Sequence, residues 1–158
     1  MSIRVLEENR DYRLGSVGSV LVTVWYSELT NSALDALEKH HVALTNQHGK
    51  ITLVSIIMGA TAAPSSQLRD RIRSQSTELA KRRLGNIIVV RARGLSAIIA
   101  RSFLAALSLV SAEIIKVPAT LEAAANEVRA LPGQNEATKG DSSLGAELEA
   151  LAELPRPA

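Results

Sequence analysis

Ser65 and Ser66 stand together, with Thr61 four residues before Ser65 and with Arg69 and Arg73 at one-turn intervals after it. Each hydroxyl is a potential phosphate acceptor. At the start of a helix, unpaired backbone N–H groups and the positive end of the macrodipole favour an anion. A nearby arginine adds charge-assisted pairing for a phosphate group. A plainer role fits the same serines, since a serine at this position caps the helix by accepting from an orphan N–H. The segment before them, Ile51–Met58, is a nearly unbroken apolar run. Such a run reads as a central strand covered on both faces. The Gly59–Ser66 loop therefore leaves the carboxyl end of a strand, where ligands meet open α/β sheets. Thr61, Ser65 and Ser66 are the expected phosphosite or partner loop, and Arg69 and Arg73 the expected anion or partner contacts.

Bond-making chemistry has little to work with elsewhere. The chain contains no GxSxG, GxxxxGK[ST] or HExxH motif, and no GxGxxG follows a strand. No acidic residues are expected at the carboxyl ends of the central strands. His40 and His41 are neighbours on a helix, so they point about 100° apart and do not converge on a metal, and His48 lies at its end. His41 falls on the apolar stripe and is expected half-buried. We expect no enzyme, no metal and no cofactor.

The absence of cysteine excludes disulfides and thiolate chemistry and fits a reducing cytoplasm. The amino terminus, MSIRVLEENRDYR, mixes charges and lacks the apolar core of a secretory signal. The longest apolar stretch, 97–110, is shorter than the roughly 20 residues a membrane span needs. We expect a cytoplasmic protein with no membrane partner. Net charge is +2, but residues 61–103 hold nine basic and two acidic residues, and residues 119–158 hold three basic and seven acidic. The basic region suits solvated helix faces, an acidic partner or the chain's own acidic end. Nucleic acid is not expected. Tyr12, Trp25, Tyr26 and Phe103 all fall in strands or core-like positions, leaving no stacking platform.

The elements that must carry these residues follow from periodicity. Residues 1–11 read as a loose extension, and Tyr12–Leu14 as a short edge strand. Ser19–Tyr26 alternates Val20, Val22 and Val24 against Leu21, Thr23 and Trp25, so both faces are apolar. Leu34, Leu37, His41 and Leu44 mark a first helix, capped by Thr30, Asn31 or Ser32 and ended by Gly49. A second helix over 65–83 has Leu68, Ile72 and Leu79 on its buried stripe, interrupted by Gln75. Strand 86–91 and a third helix, Leu95–Val110, follow. That helix is apolar almost all round. Leu95, Ile98, Ile99, Phe103, Ala106 and Val110 are its expected core stripe. Leu104 and Leu109 lie off the stripe and are the expected interface, for a partner or a second copy of the chain. A strand over 113–117 ends at Pro118, and Thr120 caps a last helix carrying Leu121, Ala124, Ala125, Val128 and Leu131. Residues 134–143 are polar and read as a flexible linker. Leu144, Leu148 and Leu151 then recur in a short segment that would be marginal as an isolated helix. The expected domains are an extension over 1–11, an α/β domain over 12–131 and a flexible acidic tail over 132–158.

The order β-β-α-β-α-β-α-β-α, with Pro64-Ser65-Ser66-Gln67-Leu68 opening the helix after the central strand, resembles the STAS-domain family, which includes bacterial anti-sigma-factor antagonists. In those antagonists an Asp-Ser-Ser/Thr-Gly motif opens this helix and is phosphorylated by a partner kinase. Pro64 stands in the place of the Asp and Gln67 in the place of the Gly. The resemblance covers about 12–131. It implies a STAS-like mixed sheet and a non-enzymatic protein–protein interaction module of bacterial cytoplasmic signalling, switched by serine phosphorylation. The alternative is a small-ligand or anion-binding domain using the Gly59–Ser66 loop.

Overall fold

The computed structural model describes residues 2–59, 64–108 and 113–158, without the side chains of Ser96 and 103–108. Among the described residues six strands form one mixed sheet in chain order. They are β1 (Arg4–Glu8), β2 (Tyr12–Val17), β3 (Val20–Trp25), β4 (Ile51–Ile57), β5 (Arg83–Val90) and β6 (Ile115–Lys116). The first three pair antiparallel and the last four run parallel. The helices are α1 (Asn31–His48), α2 (Ser66–Ala80), α3 (Leu95–Ser108), α4 (Leu121–Ala130), the single turn α5 (Glu136–Lys139) and α6 (Leu144–Glu153). The α/β class expected from the alternating pattern is what the chain adopts.

Strand order explains where the helices go. Each parallel step from β3 to β6 moves one strand in the same direction. A single handedness of crossover then puts α1, α2 and α3 on one face. Leu21, Trp25 and Leu53 pack there with Ala33, Ala36, Leu37 and Leu44 of α1. Ile88 and Val90 pack there with Ala97 and Ala100 of α3. The opposite residues, Val20, Val22, Val24, Val54, Ile56, Ile87 and Val89, meet α4 and α6 on the other face. The alternation read in β3 is therefore the division between two cores.

Several expectations are corrected. Residues 1–11 are no loose extension: β1 pairs with β2, so Tyr12–Leu14 belongs to an interior strand. Residues 132–158 are no flexible tail. Leu144, Leu148 and Leu151 are completely or almost completely buried, and Gln134, Thr138 and Asp141 are buried as well. The segment does not dock on the basic second helix either. It lies across the sheet from it, against α4 and the β3 valines. Apolar burial stabilises this helix where helix propensity alone would not. In α3 the stripe is out of phase with expectation. Leu95 and Ile98 are 71% and 61% exposed, while Ala97 and Ala100 are buried. A helix apolar all round offers no contrast from which to read its inward face.

One glycine is set by its backbone and another by close packing. Gly18 has φ +55° in the two-residue turn joining β2 to β3, as a type II′ hairpin demands. A Cβ on Gly85 would come within 2.8 Å of the Leu131 Cδ2 methyl, so a side chain here would require the Leu131 side chain to shift.

Candidate functional site

The α2 helix is attached to the sheet thinly. Of its fifteen residues only Ile72 and Leu79 are buried. Its firmest ties run sideways to α1. Arg71 donates to the Asn31 carbonyl at 3.1 Å and to Asn31 Oδ1 at 2.7 Å, and pairs with Asp35. Gln75 Nε2 donates to the Leu34 carbonyl at 2.8 Å. A helix held at its rim leaves space beneath. Between α2 and strands β3–β5 lies a cavity of about 290 Å³. Leu53, Ile57, Leu68, Ile72 and Ile88 make its walls largely apolar, and Trp25 closes one side. Gly59, Pro64 and Ser65 stand at the carboxyl end of the strands, where the loop expectation placed a ligand.

The opposite end is polar and tightly organised. Arg83 and Glu113 form a buried two-pronged ion pair, Nε to Oε2 at 3.0 Å and Nη2 to Oε1 at 2.8 Å. Arg83 also donates to the Ser76 carbonyl at 3.3 Å. Burial pushes the Glu113 carboxyl up, and the Arg83 charge opposes that push. Burial lowers Arg83 in turn, against the pull of Glu113. The guanidinium keeps its proton and the pair stays ionic. Asn86, on the next inward-facing position of β5, lies beside Glu113, helps to lower its carboxyl and lines the same cavity. Higher up the wall, Thr23 Oγ1 donates to Ser55 Oγ at 3.0 Å.

The expected loop residues are partly brought to this cavity. Ser65 lies at its mouth and is the N-cap of α2, its Oγ accepting from the Leu68 N–H at 3.2 Å. Ser66 begins the helix, and it, Arg69 and Arg73 are exposed along α2. Thr61 and Leu109 lie outside the described residues, as does the side chain of Leu104. Glu28, following β3, lines the cavity. Its position corrects the expectation that acids are absent from the carboxyl ends of the central strands.

The histidines do not converge. His40 Nε2 donates to Glu7 at 2.8 Å, and Tyr12 donates its O–H to the same carboxylate. These hydrogen bonds hold Glu7 below the ordinary carboxylate range. His41 is completely buried rather than half-buried, and neither ring nitrogen has a hydrogen-bond partner among the described residues. Burial, reinforced by the Arg83 and Arg82 charges, lowers it to about 4. Among the described residues no cluster of histidine and carboxylate suits a metal ion, and no helix is long and apolar enough to cross a membrane.

Sequence reasoning missed the cavity but held a trace of it. Gln75 interrupts the α2 stripe, and Asn86 opens an otherwise apolar strand. Both polar residues face the space that α2 does not fill. Comparison with family models, curated proteins and solved structures finds no match.

Proposed function

We propose that this chain is a non-enzymatic binding module that takes a small molecule into the cavity beneath α2, a regulatory domain on a STAS-like scaffold. The observation that carries this reading is the 290 Å³ apolar cavity with polar groups gathered at one end. Its size is near the lower bound of ordinary ligand pockets, about 300 Å³, and its lining has their composition. The helix above it is the least embedded of the long helices described in full, so uptake requires little unpacking. The scaffold reading draws support from antiparallel opening strands followed by β-α units, and from the serine pair starting α2. A thermal-shift screen with small apolar and amphipathic compounds tests the function. A binder raises the melting temperature in proportion to occupancy. Replacing Ser55 with Leu narrows the cavity and lowers that rise. A screen without any saturable shift refutes the proposal.

An interaction role has its own support. Leu95 and Ile98 lie one turn apart on α3 and are both largely exposed, a paired apolar surface of the kind that meets protein partners. Light scattering on wild type and on a Leu95→Glu, Ile98→Glu variant distinguishes self-association from contact with a different protein. Ser65, exposed at the helix start beside Arg69, suits modification as a switch of such contacts. Intact-mass analysis of protein from its native cell tests that switch.

A further inference from the structure

We infer that the ligand of this cavity is a neutral, largely apolar molecule of about a dozen non-hydrogen atoms carrying one O–H or N–H donor, which Asn86 Oδ1 receives. The inference rests on the binding role proposed above and adds the ligand's chemistry. Size comes first. An apolar cavity of about 150 Å³ accommodates a six-carbon ring, and this one is about 290 Å³. The walls, including Leu53, Ile72 and Ile88, favour a hydrocarbon body.

The donor follows from Asn86. This side chain is 94% buried, with 6% of its surface exposed. Alternation along β5 directs it, like Ile88, to the face that α2 covers. Its amide lies beside the Glu113 carboxylate and helps to lower it. A carboxylate only accepts, so the asparagine amide N–H must donate. That assignment orients the amide and leaves its carbonyl oxygen turned away from Glu113. Among the described residues Oδ1 has no hydrogen-bond partner. A buried acceptor left unpaired is costly, and a ligand donor removes that cost. Three other polar side chains of the wall have partners of their own: Ser55 accepts from Thr23, Gln75 donates to the Leu34 carbonyl, and Ser27 donates to Asp11.

Neutrality follows from the ion pair. Arg83 presents Nε and Nη2 to Glu113, with both side chains almost fully buried. An anionic ligand would have to displace Glu113 from its partner and would pass Glu28 at the mouth. It would lose its hydration for no net attraction.

Trp25 lines the cavity and is the chain's single tryptophan, so its emission reports occupancy. The test titrates the full chain with decanol, its methyl ether and decanoate. Decanol and the ether share a hydrocarbon chain and an acceptor oxygen, but only decanol donates. Saturable change in Trp25 emission is expected, with decanol binding about tenfold more tightly than the ether and decanoate binding weakest. In Asn86→Leu, checked for folding by circular dichroism, the alcohol and the ether bind alike. Equal affinity of wild type for alcohol and ether overturns the donor inference while the cavity remains a binding site. Preference for decanoate overturns neutrality. An alcohol preference that survives in Asn86→Leu overturns the role of Asn86. No saturable response to any of the three overturns the inference and the binding role together. If Asn86→Leu does not fold, the wild-type series alone still decides between donor and no donor.

Discussion

Arg13 sits inside β2 with 2% of its surface exposed, where the strand pattern calls for an apolar residue. Its guanidinium reaches the Tyr26 hydroxyl and the carbonyls of Leu151, Leu154 and Pro155, at 2.6 to 3.2 Å, while Nε pairs with Glu8. These carbonyls lie at and just beyond the end of α6, where helix carbonyls have no intrahelical partner. Removing the fork leaves several of them unpaired. Arg13→Ala should therefore destabilise the protein by about 3 kcal/mol in urea unfolding, and Arg13→Lys should recover only part, lacking the planar geometry. No local pattern announces this residue, because one of its carbonyl partners lies 138 positions along the chain. His41 was legible as an apolar-stripe residue, but its complete burial was not. Its pKa is lowered from an ordinary 6.5 to about 4. Above 6.5 both folded and unfolded forms are neutral and the residue has no effect on pH dependence. Below 6.5 the unfolded chain takes a proton that the folded one refuses. Stability should thus fall between pH 6.5 and about 4, by about 3 kcal/mol in total. His41→Leu should flatten that part of a pH series of denaturation curves. An unchanged slope would mean that His41 gains a compensating partner when protonated.

Helices α2 and α4 differ in how their burial relates to their length. The first has fifteen residues and buries two; the second has ten and buries four. Hydrogen exchange should therefore be faster in α2 than in α4, despite its extra turn. Slower exchange in α2 would mean that its rim contacts with α1 dominate. Helix α6 is the opposite case to α2, since Leu144, Leu148 and Leu151 are its deepest residues. Leu148→Ala should cost about 3 kcal/mol, measured by urea denaturation. A surface helix would lose a small fraction of that. The leucine spacing of α6 was visible in the sequence, yet its context was misleading. A polar stretch before it read as a linker, whereas Asn135 caps α5, its Oδ1 accepting from the Thr138 N–H, and Gln134 hydrogen-bonds Thr52. Polar residues that serve caps and buried ties look, in composition, like polar residues left in water.

Across the whole molecule, alternating strands and helices gave away the α/β class and the inward faces of β3. They did not reveal what covers the second face. A strand apolar on both sides demands two covers, and three helices from successive crossovers supply one. The demand was legible in Val20, Val22 and Val24; that α6 meets it, with α4, could be seen only once distant segments were brought together. Removing residues 133–158 should therefore abolish cooperative unfolding rather than leave stability unchanged, as circular dichroism melting would show. A sharp transition near the full-length value would mean that α4 alone shields the sheet. The same arrangement bears on biosynthesis. A ribosome releases β2 through β5 well before α6, so the nascent chain carries a bare valine surface throughout that interval. Chaperones that capture exposed aliphatic segments should engage this protein late in translation and let go once the final helix emerges.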